Sequence, residues 1–127
     1  MRTLVMILAA LVVAGCEVNV EQDTEVAWLQ DPGMEEMNLP FSSAVRVDNL
    51  LFLSGQLGYD REAGALVEGG IQAETQKTLE NIKATLENHG SSMDKVVKCT
   101  VFLEDMAEWG AMNEIYTTFF TNKPADA

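Results

Sequence analysis

The chain has 127 residues, enough for one domain of ordinary size, and shows neither an internal repeat nor a low-complexity tract. Eight Lys and Arg stand against twenty Asp and Glu, a net charge of −12. Nucleic-acid affinity comes largely from neutralising phosphates with cations, so a surface this acidic argues against RNA or DNA as a partner.

The first fifteen residues read as a secretory signal peptide: one positive charge at Arg2, an apolar run over residues 4–13, then small residues before Cys16. The run is too short to span a bilayer. Val13-Ala14-Gly15-Cys16 resembles the lipobox of bacterial lipoproteins, in which the signal is cut ahead of the cysteine and the cysteine carries lipid. That resemblance implies a membrane-anchored protein of the cell envelope facing the periplasm, with a soluble secreted or periplasmic protein as the alternative. Loss of Arg2 with the signal leaves seven basic residues and a net −13. Residues 16–38 follow with seven acidic residues and no basic one, which predicts a solvated tether, although Trp28, Leu29, Met34 and Met37 give part of it a reason to pack.

From residue 39 onward the pattern is that of a folded domain, 39–127. Residues 44–47 and 50–53 are β-branched and apolar, with Asp48-Asn49 between them, and predict a hairpin. Ser54-Gly55-Gln56 closes the second strand with a hydroxyl, a residue without Cβ and an amide; these simply end a strand or let a ligand approach the backbone. Residues 65–67 predict a short strand. Thr75, Leu79, Ile82 and Leu86 then recur at spacings of three and four with Gly90 as a stop, the mark of a helix of about five turns. His89 falls in its last turn and reads as a surface residue, with no Cys or His spaced to share a metal.

Residues 96–103 alternate and predict a strand in mid-sheet, with Cys99 a small core residue on the face of Val97, Val101 and Leu103. Asp105 to Glu108 has the spacing of a capping box. The helix after it places Met112, Ile115, Tyr116 and Phe119 on one core-facing stripe, with Asn113 beside them. Strand, strand, short strand, helix, strand, helix predicts an α+β domain with two helices on one face of a mixed sheet.

Three segments, P-F-S-S-A-V-R-V-D-N-L-L-F-L-S-G-Q, T-L-E-N-I-K-A-T-L and V-V-K-C-T-V-F-L-E-D-M, together with M-N-E-I-Y, resemble the RidA (YjgF/YER057c/UK114) family of imine and enamine deaminases in order and spacing. The resemblance implies a RidA-like (chorismate-mutase-like) fold, a homotrimer with pockets between subunits, no cofactor or metal, and a small 2-imino acid as substrate. It implies Ser54 and Asn113 as catalytic residues and Phe41, Gly55 and Gln56 as lining of the substrate pocket. Phe41 stands where the family has tyrosine, and Asp126 where it has the arginine that holds the substrate carboxylate. The family's last two strands, with a glutamate that positions water, have no counterpart before Ala127, and a chain truncated at its C-terminus is expected. Two functions remain open: hydrolysis of 2-iminobutanoate and 2-iminopropanoate to 2-oxo acids and ammonia, or non-catalytic binding of a small ligand or protein at the envelope.

Overall fold

A computed structural model describes residues 23–120. The predicted signal peptide, Cys16 and Asp126 lie outside them. Three antiparallel strands, β1 (Val26–Leu29), β2 (Ala44–Val47) and β3 (Leu50–Leu53), form one sheet in that order. A two-stranded ladder, β4 (Tyr59–Asp60) with β5 (Ala65–Leu66), precedes α1 (Gly70–Asn88), and α2 (Trp109–Phe119) ends the described chain. Two helices with antiparallel sheets make an α+β domain, as predicted. The expected mixed pairing is not seen: every ladder among the described residues is antiparallel. The two-residue connection Asp48-Asn49 and the four-residue one between β4 and β5 permit nothing else, because a parallel pair needs a crossover of a dozen residues or more; β1 and β2, joined by the longer segment 30–43, pair antiparallel as well.

The hairpin has the predicted bounds. Asp48, at the turn, adopts φ 50°, a left-handed conformation that Asp tolerates, and its carboxylate accepts from the Glu25 N–H at 3.0 Å. That bond brings in β1, which pairs Val26 with Val47 and Leu29 with Ala44. Part of the expected tether, Val26–Leu29, is therefore folded into the sheet ahead of residue 39. Acidic composition concealed this, because the four residues of β1 carry no charge while their flanks do.

Directly opposed residues in a ladder share a face. One face holds Ala27, Leu29, Ala44, Leu51 and Leu53 and turns towards α1; Arg46, also on it, donates to the His89 carbonyl at the C-terminus of α1. The opposite face sets Val26, Val47 and Leu50 in one row and Trp28, Val45 and Phe52 in the next. It is entirely apolar, and Trp28 and Phe52 remain 71% and 57% exposed.

The core sits between β2 and the helices, around Ala44, Leu79, Leu86 and Met112. Helix α1 runs alongside α2, and Gln72 reaches Glu114 across that contact at 3.0 Å. The segment 57–59 is clamped to α1 by Asn81, whose amide donates to the carbonyls of Leu57 and Tyr59, both at 3.0 Å. A Cβ on Gly58 would lie 2.8 Å from the Glu74 Cα, so only glycine fits there.

Two further expectations are corrected. Residues 96–103 form no ladder; Val97 and Phe102 are 92% and 90% exposed. Alternation marks a segment able to pair, but a strand exists only where a neighbour supplies the other half of its hydrogen bonds. Asp105 does cap the following turn, accepting from Ala107 N–H at 2.8 Å, yet Glu108 makes no reciprocal bond. Among the described residues no helix is long and apolar enough to cross a membrane.

Candidate functional site

Ser54 follows the last residue of β3 and prolongs the ladder by one bond, its N–H donating to the Ser43 carbonyl at 3.1 Å. Its hydroxyl donates to the Ser42 carbonyl at 2.6 Å. Phe41, Ser42 and Ser43, at the entrance to β2, and Ser54, at the exit of β3, thus form one unit, because an antiparallel hairpin brings its two ends side by side. Phe41 is exposed, as is Gly55, and a Cβ on Gly55 would meet nothing within 4 Å. Gln56 is half-buried, and its amide makes no hydrogen bond with the described residues.

A second layer lies behind this unit. The Gln30 side chain accepts from the Ser43 N–H at 3.0 Å and from its hydroxyl at 3.1 Å, and donates to the Phe41 carbonyl at 2.9 Å. Ser43, itself buried, accepts from the Asp31 N–H at 2.9 Å. The Asp31 carboxylate is only 1% exposed and collects Thr85 Oγ1 at 2.6 Å, Asn88 Nδ2 at 3.1 Å and the Arg61 guanidinium at 3.4 Å. Burial alone would push this carboxyl up; the bonds from Thr85, Asn88 and Arg61, with the charge of Arg61, outweigh it and hold the carboxyl below its usual range.

His89 corrects the sequence reading. Its ring is packed against Asp31, Nε2 lying 3.2 Å from Oδ1 but in a direction that makes no hydrogen bond. It is a largely covered neighbour of a carboxylate, its side chain 10% exposed, not a surface residue. The sequence hides Gln30 and Asp31 because Gln30-Asp31-Pro32-Gly33 carries a strong turn signal, and a turn aspartate is ordinarily solvated.

Asn113 lies elsewhere, lining a recess of about 320 Å3 with Val101, Leu103, Met106, Trp109, Met112 and Tyr116. No hydrogen bond among the described residues connects it to Ser54. In the same region burial, reinforced by the charge and hydrogen bond of the neighbouring Cys99, pushes the Tyr116 phenol up to about 12. The structure therefore unites Phe41, Ser54, Gly55 and Gln56 around one hairpin end and leaves Asn113 in a separate recess. No group of three metal-ligating side chains occurs among the described residues.

The family described as Endoribonuclease L-PSP matches residues 34–127, and a RutC family protein of Pyrococcus abyssi is 45% identical over 87 residues, 68% of each chain. The chain belongs to the RidA/YjgF/UK114 family. Another relative, the mouse 2-iminobutanoate/2-iminopropanoate deaminase, is 44% identical over 81 residues, covering 64% of this chain and 60% of that protein. The crystal structure of YyfA, a Rid-family protein of Yersinia pestis, shares the fold with a TM-score of 0.70 at 30% identity, covering 77% of this chain and 78% of that one. This RidA-family chain thus spans three fifths to two thirds of the length of these two sequence relatives.

Proposed function

We propose that the protein hydrolyses small reactive 2-imino and enamino acids, such as 2-iminobutanoate and 2-iminopropanoate, to the 2-oxo acid and ammonia. The observation that carries this reading is the hairpin end at Ser54, where an ordered hydroxyl stands beside the open flank of Gly55 and the Gln56 amide in a chain 44% identical to a protein named for that reaction. Water adds to the electrophilic carbon of the C=N bond and ammonia leaves; the protein has to hold the substrate and order the water.

Phe41 supplies an apolar wall, and Ser54 fixes the backbone beside the reacting carbon. The substrate carboxylate needs a bidentate cation. Sequencing of the native protein's C-terminal peptide tests whether an arginine supplies that cation. Asn113 completes the pocket from a neighbouring subunit, in keeping with its separation from Ser54. The apolar outer face of β1, β2 and β3 supports a homotrimer, since a sheet face of Trp, Phe, Leu and Val is usually covered. Lipid on Cys16 would anchor this assembly at the envelope, three chains holding it far more firmly than one. The net charge of −12 favours a small substrate over the RNA suggested by the family's description.

A second reading is favoured by Asp126 and Phe41: an acidic residue at the arginine's position repels an anionic substrate, and a family member so altered binds a ligand or partner without turnover. Ammonia release from 2-iminobutanoate by the native protein separates the two. Turnover that falls at least tenfold in Ser54→Ala supports the deaminase; a folded, assembled protein no faster than buffer supports the binder.

A further inference from the structure

We propose that Gln30 and Asp31, just past the end of β1, are positioning residues: they set the segment 41–43 and through it Ser54. The inference rests on the deaminase reading for its catalytic consequence, and on geometry alone for the positioning itself.

Gln30 treats the segment as a peptide strand would. Its amide oxygen accepts from the Ser43 N–H and hydroxyl, and its amide N–H donates a hydrogen bond to the Phe41 carbonyl. Both polar ends of one side chain are thus committed to residues two apart, which fixes the direction in which Phe41 leaves the backbone. The Asp31 N–H adds a bond to the Ser43 hydroxyl. Ser43 then offers its carbonyl to Ser54 N–H, and Ser42 offers its carbonyl to the Ser54 hydroxyl.

What keeps Gln30 and Asp31 in place is the buried Asp31 carboxylate, held by Thr85 and Asn88 on α1 and by Arg61 from the β4–β5 loop, with the His89 ring packed against it. The hairpin end is therefore referenced to the rigid end of α1, not merely to its own ladder. A side chain that sets a neighbour's backbone without touching substrate acts through orientation, and small displacements of such groups cost catalysis disproportionately.

The test is made on the complete protein with Gln30→Ala, Gln30→Glu and Asp31→Asn. Gln30 is only half-buried, so its replacement leaves the fold intact, and thermal unfolding checks that. Amide hydrogen exchange at Ser54 is the decisive readout, since its own acceptor, the Ser43 carbonyl, is not removed by any of the three substitutions. Gln30→Ala is expected to speed exchange at Ser54 about tenfold while Leu79 and Leu86 of α1 exchange as in the wild type. With 2-iminopropanoate, KM is expected to rise about fivefold in Gln30→Ala with kcat within twofold, because the loss falls on binding shared by ground and transition states. Gln30→Glu keeps the acceptor for Ser43 and loses the donor to Phe41, and is expected to fall between. Asp31→Asn is expected to follow Gln30→Ala. Unchanged Ser54 exchange in Gln30→Ala overturns the positioning role. An unchanged KM in an active, Ser54-loosened variant overturns its catalytic consequence. A wild type without turnover defeats the deaminase reading separately, and Ser54 exchange then decides the proposal by itself.

Discussion

Asp31 keeps a carboxylate where water scarcely reaches, and such a group is tolerated only when its lone pairs are fully used. Asp31→Ala would leave Thr85, Asn88 and Arg61 without their acceptor, and is expected to cost about 3 kcal/mol in urea unfolding. A loss under about 1 kcal/mol would show that α1 does not depend on this anchor. The same group sets an acid limit. Its folded-state value lies below the ordinary 3.8, so as pH falls the unfolded chain takes up the proton first. The stabilisation is complete above about pH 5 and is lost as pH drops through the folded value. Asp31→Asn should flatten stability against pH between about pH 5 and 3, a slope that thermal melts across that range will read. Gly58 presents a different constraint: a methyl group there would sit 2.8 Å from the Glu74 backbone of α1. Gly58→Ala is accordingly expected to destabilise by about 2 kcal/mol, because backbone cannot step aside as a flexible side chain can.

At the scale of elements, α1 is the frame on which the rest is mounted. Leu79 and Leu86 fill the core from one face, and Asn81, Thr85, Asn88 and the His89 carbonyl take hydrogen bonds from or give them to the hairpin and its loops. Leu79→Ala is expected to lower stability by about 3 kcal/mol, read as a shifted urea midpoint at constant slope. Those elements whose evidence is local were legible in the sequence. The period of Thr75, Leu79 and Leu86 specifies α1 whatever surrounds it, and the Asp48-Asn49 turn fixes the hairpin with its register. Elements defined by distant partners were not legible. β1 exists because Val26 and Leu29 meet Val47 and Ala44, some twenty residues and fifteen residues away in the chain, which no local window reveals. Residues 96–103 show the converse, since the alternation is present but no ladder is. In the candidate site, Ser54, Gly55 and Gln56 were singled out by the family resemblance, because by themselves they read as well as the plain end of a strand. Gln30 and Asp31 were not, because their partners Phe41, Ser43, Thr85 and Asn88 are brought to them only by the fold.

For the molecule as a whole, the apolar outer face of the sheet and the separation of Asn113 from Ser54 lead to the same expectation, a site completed by assembly. Six apolar residues on one unpaired sheet face are more than a solvated monomer ordinarily presents. Phe52→Glu, which places a charge on the exposed outer strand of that face, should convert a three-chain particle into single chains in sedimentation equilibrium while leaving the helical signal unchanged. A wild type that sediments as single chains at every concentration would refute the assembly. The acidic surface would persist in either state, keeping polyanions away while neutral or zwitterionic small molecules enter.

The central claim is hydrolysis of a C=N bond, and the most direct measurement is the rate of ammonia release from freshly generated 2-iminopropanoate in the presence of the protein isolated from its own cells. The account predicts a rate proportional to protein concentration, well above the buffer blank and reduced at least tenfold by Ser54→Ala. A rate equal to the blank, with the assembly intact by sedimentation, would contradict it.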